Sequence, residues 1–338
     1  MTRTITFLPS GRSSPIEANE SVLEACLRAG LTPLYGCSNG NCGECKAILK
    51  SGEIEQIRHS DHAFTLSEKA NGSFLMCANR ALGDIVIEAD VTQGPDDVPL
   101  QSIDTKVKAI EFLDPQVARL HLQTPRSRRL RFISGQSVTL TMSGGIQRKQ
   151  AVASCPCDDR NLHFHVPHIP GDAFSEAIFD GDLAVRETIH LEGPFGNSFF
   201  LDESDKRPSL FLCWHTGFAP IISLIEHAMS LDVEKDIHLF RFSPTPDHQY
   251  LPNLGRAWAD AYDNVFANLM SQRITLLSNQ SYCEEAISAV AAQFADLSDL
   301  NVYVAGPPDF VEATHTVFTR LGMGKDRIKT HTDWLGIV

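Results

Sequence analysis

A cysteine-rich loop is the feature that most restricts how this chain folds. Residues 37–45 read CSNGNCGEC, which places Cys37, Cys42 and Cys45 at the spacing C-x4-C-x2-C. Cys77 follows after 31 intervening residues. The loop supplies three thiols and a returning segment supplies the fourth. The fold must therefore bring two distant stretches of chain together at one small site.

This spacing is the ligand pattern of a plant-type [2Fe–2S] ferredoxin, in which each of two irons takes two thiolates. Glycines at positions 36, 40 and 43 tolerate positive φ, so the loop can turn tightly and aim backbone N–H groups at the sulfurs. The alternative is a structural zinc site, which also uses four cysteines. Zinc sites favour two short C-x2–4-C pairs, and here the fourth cysteine stands alone, so the spacing favours the cluster.

Length and charge restrict the remaining possibilities. The 338 residues indicate two or three domains. The formal net charge of −13 argues against nonspecific binding to nucleic acid or to an anionic membrane surface. The first residues lack the apolar core of a signal peptide, and no apolar run reaches the roughly 20 residues of a transmembrane helix. We therefore expect a cytoplasmic protein without membrane insertion.

Five further cysteines lie outside the four-cysteine pattern. Their odd number means that they cannot all form disulfides, and the default interpretation of each is a small buried hydrophobic residue. Two of them, Cys155 and Cys157, form a CPC sequence, for which metal binding or oxidation is the alternative. The others are Cys26, Cys213 and Cys283.

The order of predicted elements indicates a multidomain chain of α+β and α/β classes. Residues 1–90 combine two hairpin-like strand pairs with a helix at 22–29, which is capped by Ser21 and Glu24 and indicates a β-grasp ferredoxin domain. Residues 91–104 are rich in Pro, Asp and Gly and predict a linker. Regularly spaced strands over 105–204 predict an antiparallel β-barrel that ends in a turn at 193–196. From 205 to 338, alternating strands and helices predict a doubly wound domain, with helices at 257–263, 284–294 and 309–321.

Further motifs carry a resemblance that spans nearly the whole chain. They are GQSV at 135–138, Arg148, the loop GDAFS at 171–175, EGPFG at 192–196, TGFAP at 216–220 and GPP at 306–308. With the cysteine loop, they resemble the single-chain reductase components of bacterial oxygenases and the CDP-6-deoxyhexulose dehydrase reductases, within the ferredoxin–NADP reductase superfamily. The resemblance implies that the barrel binds FAD and the last domain binds NAD(P)H. It also implies that electrons leave through the [2Fe–2S] cluster to a redox partner protein, an oxygenase or dehydrase component.

On the flavin side, the resemblance is uneven. Arg148 matches the Arg of the family's R-x-Y-S motif, which contacts the flavin phosphates, and a guanidinium suits that role because it binds phosphate bidentately. Gln150 and Ala151 stand where the motif has Tyr and Ser. Ser175 falls in the loop that resembles the family's phosphate-contacting loop. The C-terminal aromatic that covers the flavin ring corresponds to Trp334, which can stack equally well.

On the nicotinamide side, the family's G-G-T-G-x-A-P turn is half retained. Thr216 and Gly217 are present, but Trp214 and His215 replace the two leading glycines. Large side chains there would crowd a dinucleotide, since glycine allows the close approach of backbone to pyrophosphate. Gly306 is retained in the later turn, where Ala305 replaces the family's Cys.

Two residues of the nicotinamide side are candidates for a direct role in catalysis. His215 is one, as a polar or proton-transferring contact, although a histidine exposed on a turn is the simpler interpretation. Trp334 is the other. No basic pair follows the second strand of this domain, and Asp247 would repel a 2′-phosphate, so NADH is favoured over NADPH.

Two functions remain open from the sequence. The first is an NADH-dependent reductase that uses FAD and the cluster. The second is an electron-transfer or assembly subunit in which only the cluster is active and the reductase domains serve as a scaffold. The substitutions at Gln150, Ala151, Trp214 and His215 motivate the second.

Overall fold

The computed structural model describes residues 3–29, 31–89, 91–92, 98–196, 199, 205–243, 249–270 and 280–331. Three large sheets follow one another along the chain. Within the described residues, no helix is long and apolar enough to cross a membrane.

The first sheet is mixed and packs against one helix. The N-terminal elements are β1 (Arg3–Leu8), β2 (Ser13–Ile16), α1 (Val22–Arg28), β3 (Thr32–Pro33), β4 (Lys46–Ser51), β5 (Ile54–Gln56), α2 (Leu66–Ala70), β6 (Ser73–Leu75), β7 (Asn79–Ala81), β8 (Ile85–Glu88) and β9 (Val91–Thr92). The sheet has the order β2-β1-β8-β4-β6, and only β1 and β8 run parallel. The capping box of Ser21 and Glu24 that the sequence predicts is present at the start of α1.

The second sheet is antiparallel and closes on itself. Its elements are β10 (Gln101–Asp114), β11 (Val117–Gln123), β12 (Ser137–Thr141), β13 (Gln147–Ala151), β14 (Asn161–Pro167), α3 (Ala173–Phe179) and β15 (Thr188–Phe195), with strand order β13-β12-β15-β10-β11-β14. Just after β13, the Ala153 N–H donates to the His163 carbonyl of β14 at 2.8 Å. The two edges of the sheet therefore meet, and the antiparallel barrel of the prediction is confirmed.

The third sheet is parallel throughout. Its elements are β16 (Ser209–Trp214), α4 (Phe218–Ser230), β17 (Ile237–Phe242), α5 (Leu254–Ala261), β18 (Val265–Met270), α6 (Gln280–Ala291), β19 (Asn301–Ala305), α7 (Pro308–Arg320) and β20 (Ile328–His331), with strand order β18-β17-β16-β19-β20. All six residues of β16 are buried, as expected of a strand covered by helices on both faces. The doubly wound prediction is confirmed.

Several predicted elements are displaced in the structure. The helices predicted at 257–263 and 284–294 begin three and four residues earlier, as α5 and α6. The barrel does not end in a turn at Gly193: that residue, with a positive φ of 155°, pairs with Gln101 as part of β15. β10 begins at Gln101, inside the predicted linker. Pairing between strands that are distant in sequence sets each of these barrel boundaries, and local turn residues do not predict such pairing.

Candidate functional site

The cysteine loop brings its thiols together in two pairs. In the first pair, the Cys37 N–H donates to Cys42 Sγ at 3.4 Å and the Cys42 N–H donates to Cys37 Sγ at 3.3 Å. In the second pair, Cys45 Sγ lies 3.2 Å from Cys77 Sγ. Cys77 is held in a 3-10 turn over Met76–Ala78 that follows β6, which pairs with β4 next to Cys45. Two pairs of thiols are what two irons require.

Backbone geometry aims additional donors at the sulfurs. The N–H groups of Asn39 and Asn41 donate to Cys37 Sγ at 3.5 and 3.4 Å. Gly40 has a φ of 89°, and a Cβ there would lie 2.8 Å from the His59 carbonyl oxygen, so only glycine fits. N–H donors to cluster sulfurs raise the reduction potential of the cluster.

One thiol of each pair has a pKa below its ordinary value. The hydrogen bond with Cys77 raises the pKa of Cys45, and burial raises the pKa of Cys42. The hydrogen bond from Cys45, which outweighs the effect of burial, lowers the pKa of Cys77 to about 7. Burial raises the pKa of Cys37, but the N–H donors of Asn39, Cys42 and Asn41 bring it below the ordinary value. Thiolates are the form that ligates metal.

A zinc ion does not suit this arrangement. A single tetrahedral zinc needs four ligands around one centre, whereas two separate thiol pairs suit two irons. The residues fit a [2Fe–2S] cluster, with Cys37 and Cys42 as one pair of ligands and Cys45 and Cys77 as the other.

The cluster loop rests directly on the barrel. The Arg129 N–H donates to the Gly36 carbonyl at 3.0 Å, beside the first cysteine. Asp159, which is buried, lies 3.4 Å from the Arg129 guanidinium and hydrogen-bonds Tyr35. Burial raises the pKa of Asp159 to about 6. The cysteine loop is therefore held against the barrel by a backbone hydrogen bond and a buried carboxylate.

Strand β13 carries the candidate flavin residues Arg148 and Gln150 on its buried face. The Arg148 Nη1 donates to Asp172 Oδ2 at 2.9 Å. Arg148 Nε, Arg148 Nη2 and Gln150 Nε2 are buried and have no acceptor among the described residues. Buried donors without acceptors are rare because each costs about 1–3 kcal/mol, so these three atoms fit a ligand rich in acceptors. Phosphate oxygens and the polar edge of a flavin ring are such acceptors.

The other two flavin-side candidates lie beside this strand. Ala151 is buried and ends β13. The Ser175 hydroxyl accepts from the Ile169 N–H and lies 3.1 Å from the carbonyls of Ile169 and Asp172. Its hydrogen bonds shape the loop at 171–175, which presents Asp172 to Arg148.

The turn after β16 differs from the sequence interpretation in two respects. Trp214 packs under α7, with its ring centroid 6.0 Å from that of Phe310, so its side chain lies in the core and does not crowd a ligand at the turn. His215 is only 4% exposed, so the interpretation of a histidine exposed on a turn is wrong. Its φ of 44° turns the ring inward, 5.9 Å from the ring of Tyr250.

Gly217 and Gly306 meet where β16 and β19 end. Thr216 and Gly217 belong to the 3-10 turn His215–Gly217, and the site of a Cβ on Gly217 is already filled by the Ala305 carbonyl. A Cβ on Gly306 would lie 2.7 Å from Trp214 Cβ. The two glycines therefore allow the turns to pack together at the carboxyl edge of the sheet, the edge at which doubly wound domains bind ligands. Trp334 and Asp247 lie outside the described residues.

Replacing Gly217 by alanine should destabilise the C-terminal domain. The added methyl would collide with the Ala305 carbonyl, a rigid backbone atom, so we expect a loss of about 2–4 kcal/mol in the free energy of unfolding, seen as a lower melting temperature. Gly83→Ala is the control, because a Cβ at Gly83 meets open space. Equal melting temperatures for the two variants would contradict the close packing.

The sequence reasoning missed a buried cation beside this turn. Arg241 lies 3.8 Å over the Phe218 ring and donates to the carbonyls of Tyr250 and Leu251 at 2.5 and 2.8 Å. The Tyr250 hydroxyl lies 3.2 Å from His165 Nδ1 of the barrel. Burial lowers the pKa of His165 to about 3, so that ring is neutral. The sequence contained one signal of this buried cation, which is the position of a charged residue inside the apolar strand β17.

Comparison with known proteins agrees with this geometry. Residues 5–82 match the 2Fe-2S iron-sulfur cluster binding domain, and residues 104–200 match the oxidoreductase FAD-binding domain. The chain is 27% identical over 329 residues to a CDP-6-deoxy-L-threo-D-glycero-4-hexulose-3-dehydrase reductase of Yersinia pestis, covering 97% of each. It is 28% identical over 326 residues to the terephthalate 1,2-dioxygenase reductase component 1 of Comamonas sp, covering 96% of this chain and 95% of that one.

Solved structures show the same fold. The Amycolatopsis cytochrome P450 reductase GcoB matches with a TM-score of 0.61 at 22% identity, over 99% of each chain. Phthalate dioxygenase reductase matches with a TM-score of 0.53 at 13% identity, over 70% of this chain and 69% of that one. The fold and the thiol cradle define a multidomain chain with an iron–sulfur cluster binding domain at its start. The chain consists of a 2Fe-2S cluster binding domain followed by an oxidoreductase FAD-binding domain and a parallel α/β domain.

Proposed function

We propose that this chain is the reductase component of an oxygenase or dehydrase system, passing electrons from NADH through FAD to a [2Fe–2S] cluster and then to a partner protein. One observation carries the proposal: a single chain holds both a four-thiol cradle and, on β13, three buried donors without acceptors. The domains we propose are residues 1–90, 101–204 and 205–338.

The flavin-side residues take distinct roles in this proposal. When bound, FAD accepts two electrons from a nicotinamide and releases them singly, as a one-electron cluster requires. Arg148 binds phosphate through Nε and Nη2, the two atoms that Asp172 leaves free. Gln150 Nε2 would donate to an acceptor of the bound cofactor, and the small side chain of Ala151 would leave space beside it. Ser175 holds the loop that carries Asp172.

The nicotinamide side is proposed at the carboxyl edge of the parallel sheet. Three residues line this edge: Thr216, Gly217 and Gly306. The buried His215 contacts the Tyr250 ring, and the Tyr250 hydroxyl contacts His165 of the barrel. Trp334, which lies outside the described residues, stays the sequence-based candidate for covering the flavin ring. We propose NADH as the donor and the cytoplasm as the location. The net charge of −13 suits a partner with a basic docking face.

A second function is favoured by one contact. Asp172 already supplies an anion to Arg148, as a bound phosphate would. In that case, the chain is a cluster carrier whose reductase domains are a scaffold for a partner.

Cofactor stoichiometry separates the two functions. The protein is purified anaerobically, and the released flavin is quantified against iron. The reductase is expected to hold about one FAD per two irons. Iron without flavin, even after incubation with excess FAD, would support the cluster carrier instead.

Removing the charge of Asp172 is expected to strengthen FAD binding. In Asp172→Asn, the amide oxygen still accepts the Ser175 N–H at the start of α3, so the cap is retained. The negative charge next to the proposed phosphate position is lost, and we expect FAD affinity to rise on the order of tenfold, because charge-assisted contacts of Arg148 then go to phosphate alone.

Fluorescence titration of the apoprotein with FAD measures this affinity. Asp180→Asn at the exposed end of the same helix is the control, since it removes the same charge at the opposite end of α3. An Asp172→Asn affinity equal to or below that of the unaltered chain would contradict competition between carboxylate and phosphate.

A further inference from the structure

Cys155 and Cys157 form a disulfide in the turn between β13 and β14. The other seven cysteines, all of which the structure describes, form no disulfide. The default interpretation of this pair as buried hydrophobic residues is therefore wrong, and the alternative of oxidation holds. None of the electron-transfer roles described above uses this pair.

The two sulfurs of the bond differ in their exposure to solvent. Cys157 is exposed, whereas Cys155 is 6% exposed. In thiol–disulfide exchange, access decides which sulfur is attacked. A thiolate from solvent therefore reaches Cys157 Sγ, and Cys155 is the sulfur that leaves.

Cys155 lies in surroundings that suit a leaving thiolate. The Cys157 N–H donates to Cys155 Sγ at 3.3 Å. From helix α4, His227 Nδ1 lies 3.7 Å and Ser230 Oγ lies 3.8 Å from the same sulfur. Hydrogen bonds to a sulfur stabilise it as a thiolate, and a more stable leaving thiolate departs faster.

A purely structural role explains the bond poorly. A disulfide stabilises a fold mainly by closing a loop in the unfolded chain, and the stabilisation falls as the loop shortens. With a sequence separation of 2, this bond closes nearly the smallest loop possible. Turn hydrogen bonds already hold the segment, since the Asp158 N–H donates to the Cys155 carbonyl at 3.1 Å.

We propose that Cys155 and Cys157 form a thiol–disulfide redox site that reacts with a thiol reductant. The reductant thiolate attacks Cys157 Sγ, the bond between the two cysteines breaks, and Cys155 leaves with the electron pair as a thiolate. A second thiolate then attacks the reductant sulfur of the mixed disulfide and releases Cys157. The net reaction oxidises two thiols to one disulfide and reduces the pair to two thiols, with two electrons and two protons transferred.

The site also touches the contact between the barrel and the C-terminal domain. Ser223 of α4 donates to the Ser154 carbonyl at 2.7 Å, directly before Cys155. His227 and Ser230 belong to the same helix. Reduction therefore changes the bonding of a turn that contacts α4 and that follows β13, the strand that carries Arg148 and Gln150.

Redox titration of the cluster-loaded protein tests the proposal. The protein is equilibrated anaerobically in buffers of reduced and oxidised glutathione, quenched in acid and alkylated with N-ethylmaleimide. Trypsin cleavage after Lys149 and Arg160 releases QAVASCPCDDR, in which these are the two cysteines, so mass spectrometry reports the pair alone. A second arm uses reduced thioredoxin, which distinguishes a protein dithiol from a small thiol as the reductant.

We expect the peptide to pass from disulfide to dithiol as the buffer becomes more reducing. Cys155→Ser is expected to take up glutathione on the exposed Cys157, and Cys157→Ser is expected to leave Cys155 unmodified. His227→Gln should slow reduction of the disulfide by about tenfold, because the Cys155 thiolate then leaves without its contact to the imidazole. Cys213→Ser is the control, because Cys213 is a buried cysteine of β16. In this variant, the disulfide of Cys155 and Cys157 should be reduced at the unaltered rate.

Three results would overturn the proposal. One is a fully alkylated peptide in oxidised buffer, which would mean that no disulfide forms. Another is a disulfide that neither glutathione nor thioredoxin reduces, which would mean a structural bond. The third is an unaltered rate of reduction in His227→Gln, which would remove α4 from the reaction.

Discussion

The Cys45→Ala variant is expected to lose the [2Fe–2S] cluster. Cys45 forms one thiol pair with Cys77, at a sulfur–sulfur distance of 3.2 Å, and both residues are buried. With one thiolate removed, the second iron has a single protein ligand, so iron should fall from about two per chain to near zero. The visible absorption of the cluster and all electron transfer to a partner should disappear with it.

A second cysteine of the same domain provides the control. Cys26 lies in α1 and is fully buried, and burial raises the pKa of its thiol, as expected of a packing residue. Cys26→Ala should keep about two irons, with at most a lower melting temperature. Full iron content in Cys45→Ala, or equal loss in both variants, would contradict the assignment of the ligands.

The Arg148→Ala variant is expected to lose most of its affinity for FAD. Arg148 offers Nε and Nη2 as buried donors, and a hydrogen bond to a charged group contributes about 1.5–3 kcal/mol. Loss of the guanidinium should therefore weaken binding by roughly 10- to 100-fold or more. Equilibrium titration of the apoprotein with FAD, followed by flavin fluorescence, measures the change.

Lys149→Ala is the matched control for this variant. Lys149 is the next residue of β13, and its side chain lies on the other face of the strand, with Nζ 5.3 Å from the Phe195 ring centroid. It removes the same charge from the same strand, so unaltered FAD affinity is expected. If both variants weaken binding equally, the effect of Arg148 is general electrostatics and not contact with phosphate.

The cluster ligands could be predicted from the sequence because ligand spacing is a local property. Three of the four cysteines lie within nine residues, and their glycines prescribe the turns. The pairing of Arg148 with Asp172 could not be predicted in this way, because it joins two segments 24 residues apart that meet only when the barrel closes. The sequence showed both residues without showing their contact.

The orientation of side chains around the last sheet was equally hidden. Trp214 at the end of β16 was expected to crowd a ligand, but strand register places it under α7 with Phe310. His215 was expected on the surface, and its burial depends on Tyr250, which comes from a different connection of the sheet. The identity of such neighbours follows from tertiary packing, which periodicity alone does not specify.

Anaerobic reduction by NADH is the measurement that tests the proposed electron path most directly. The FAD-loaded and cluster-loaded protein is mixed with excess NADH, and the flavin absorption and the paramagnetic signal of the reduced cluster are followed together. We expect bleaching of the flavin within seconds and appearance of the cluster signal, both with smaller amplitude in Arg148→Ala at the same FAD concentration. A cluster that stays oxidised at saturating NADH and NADPH, while dithionite reduces it, would contradict the proposed electron path and leave a cluster carrier on a reductase scaffold.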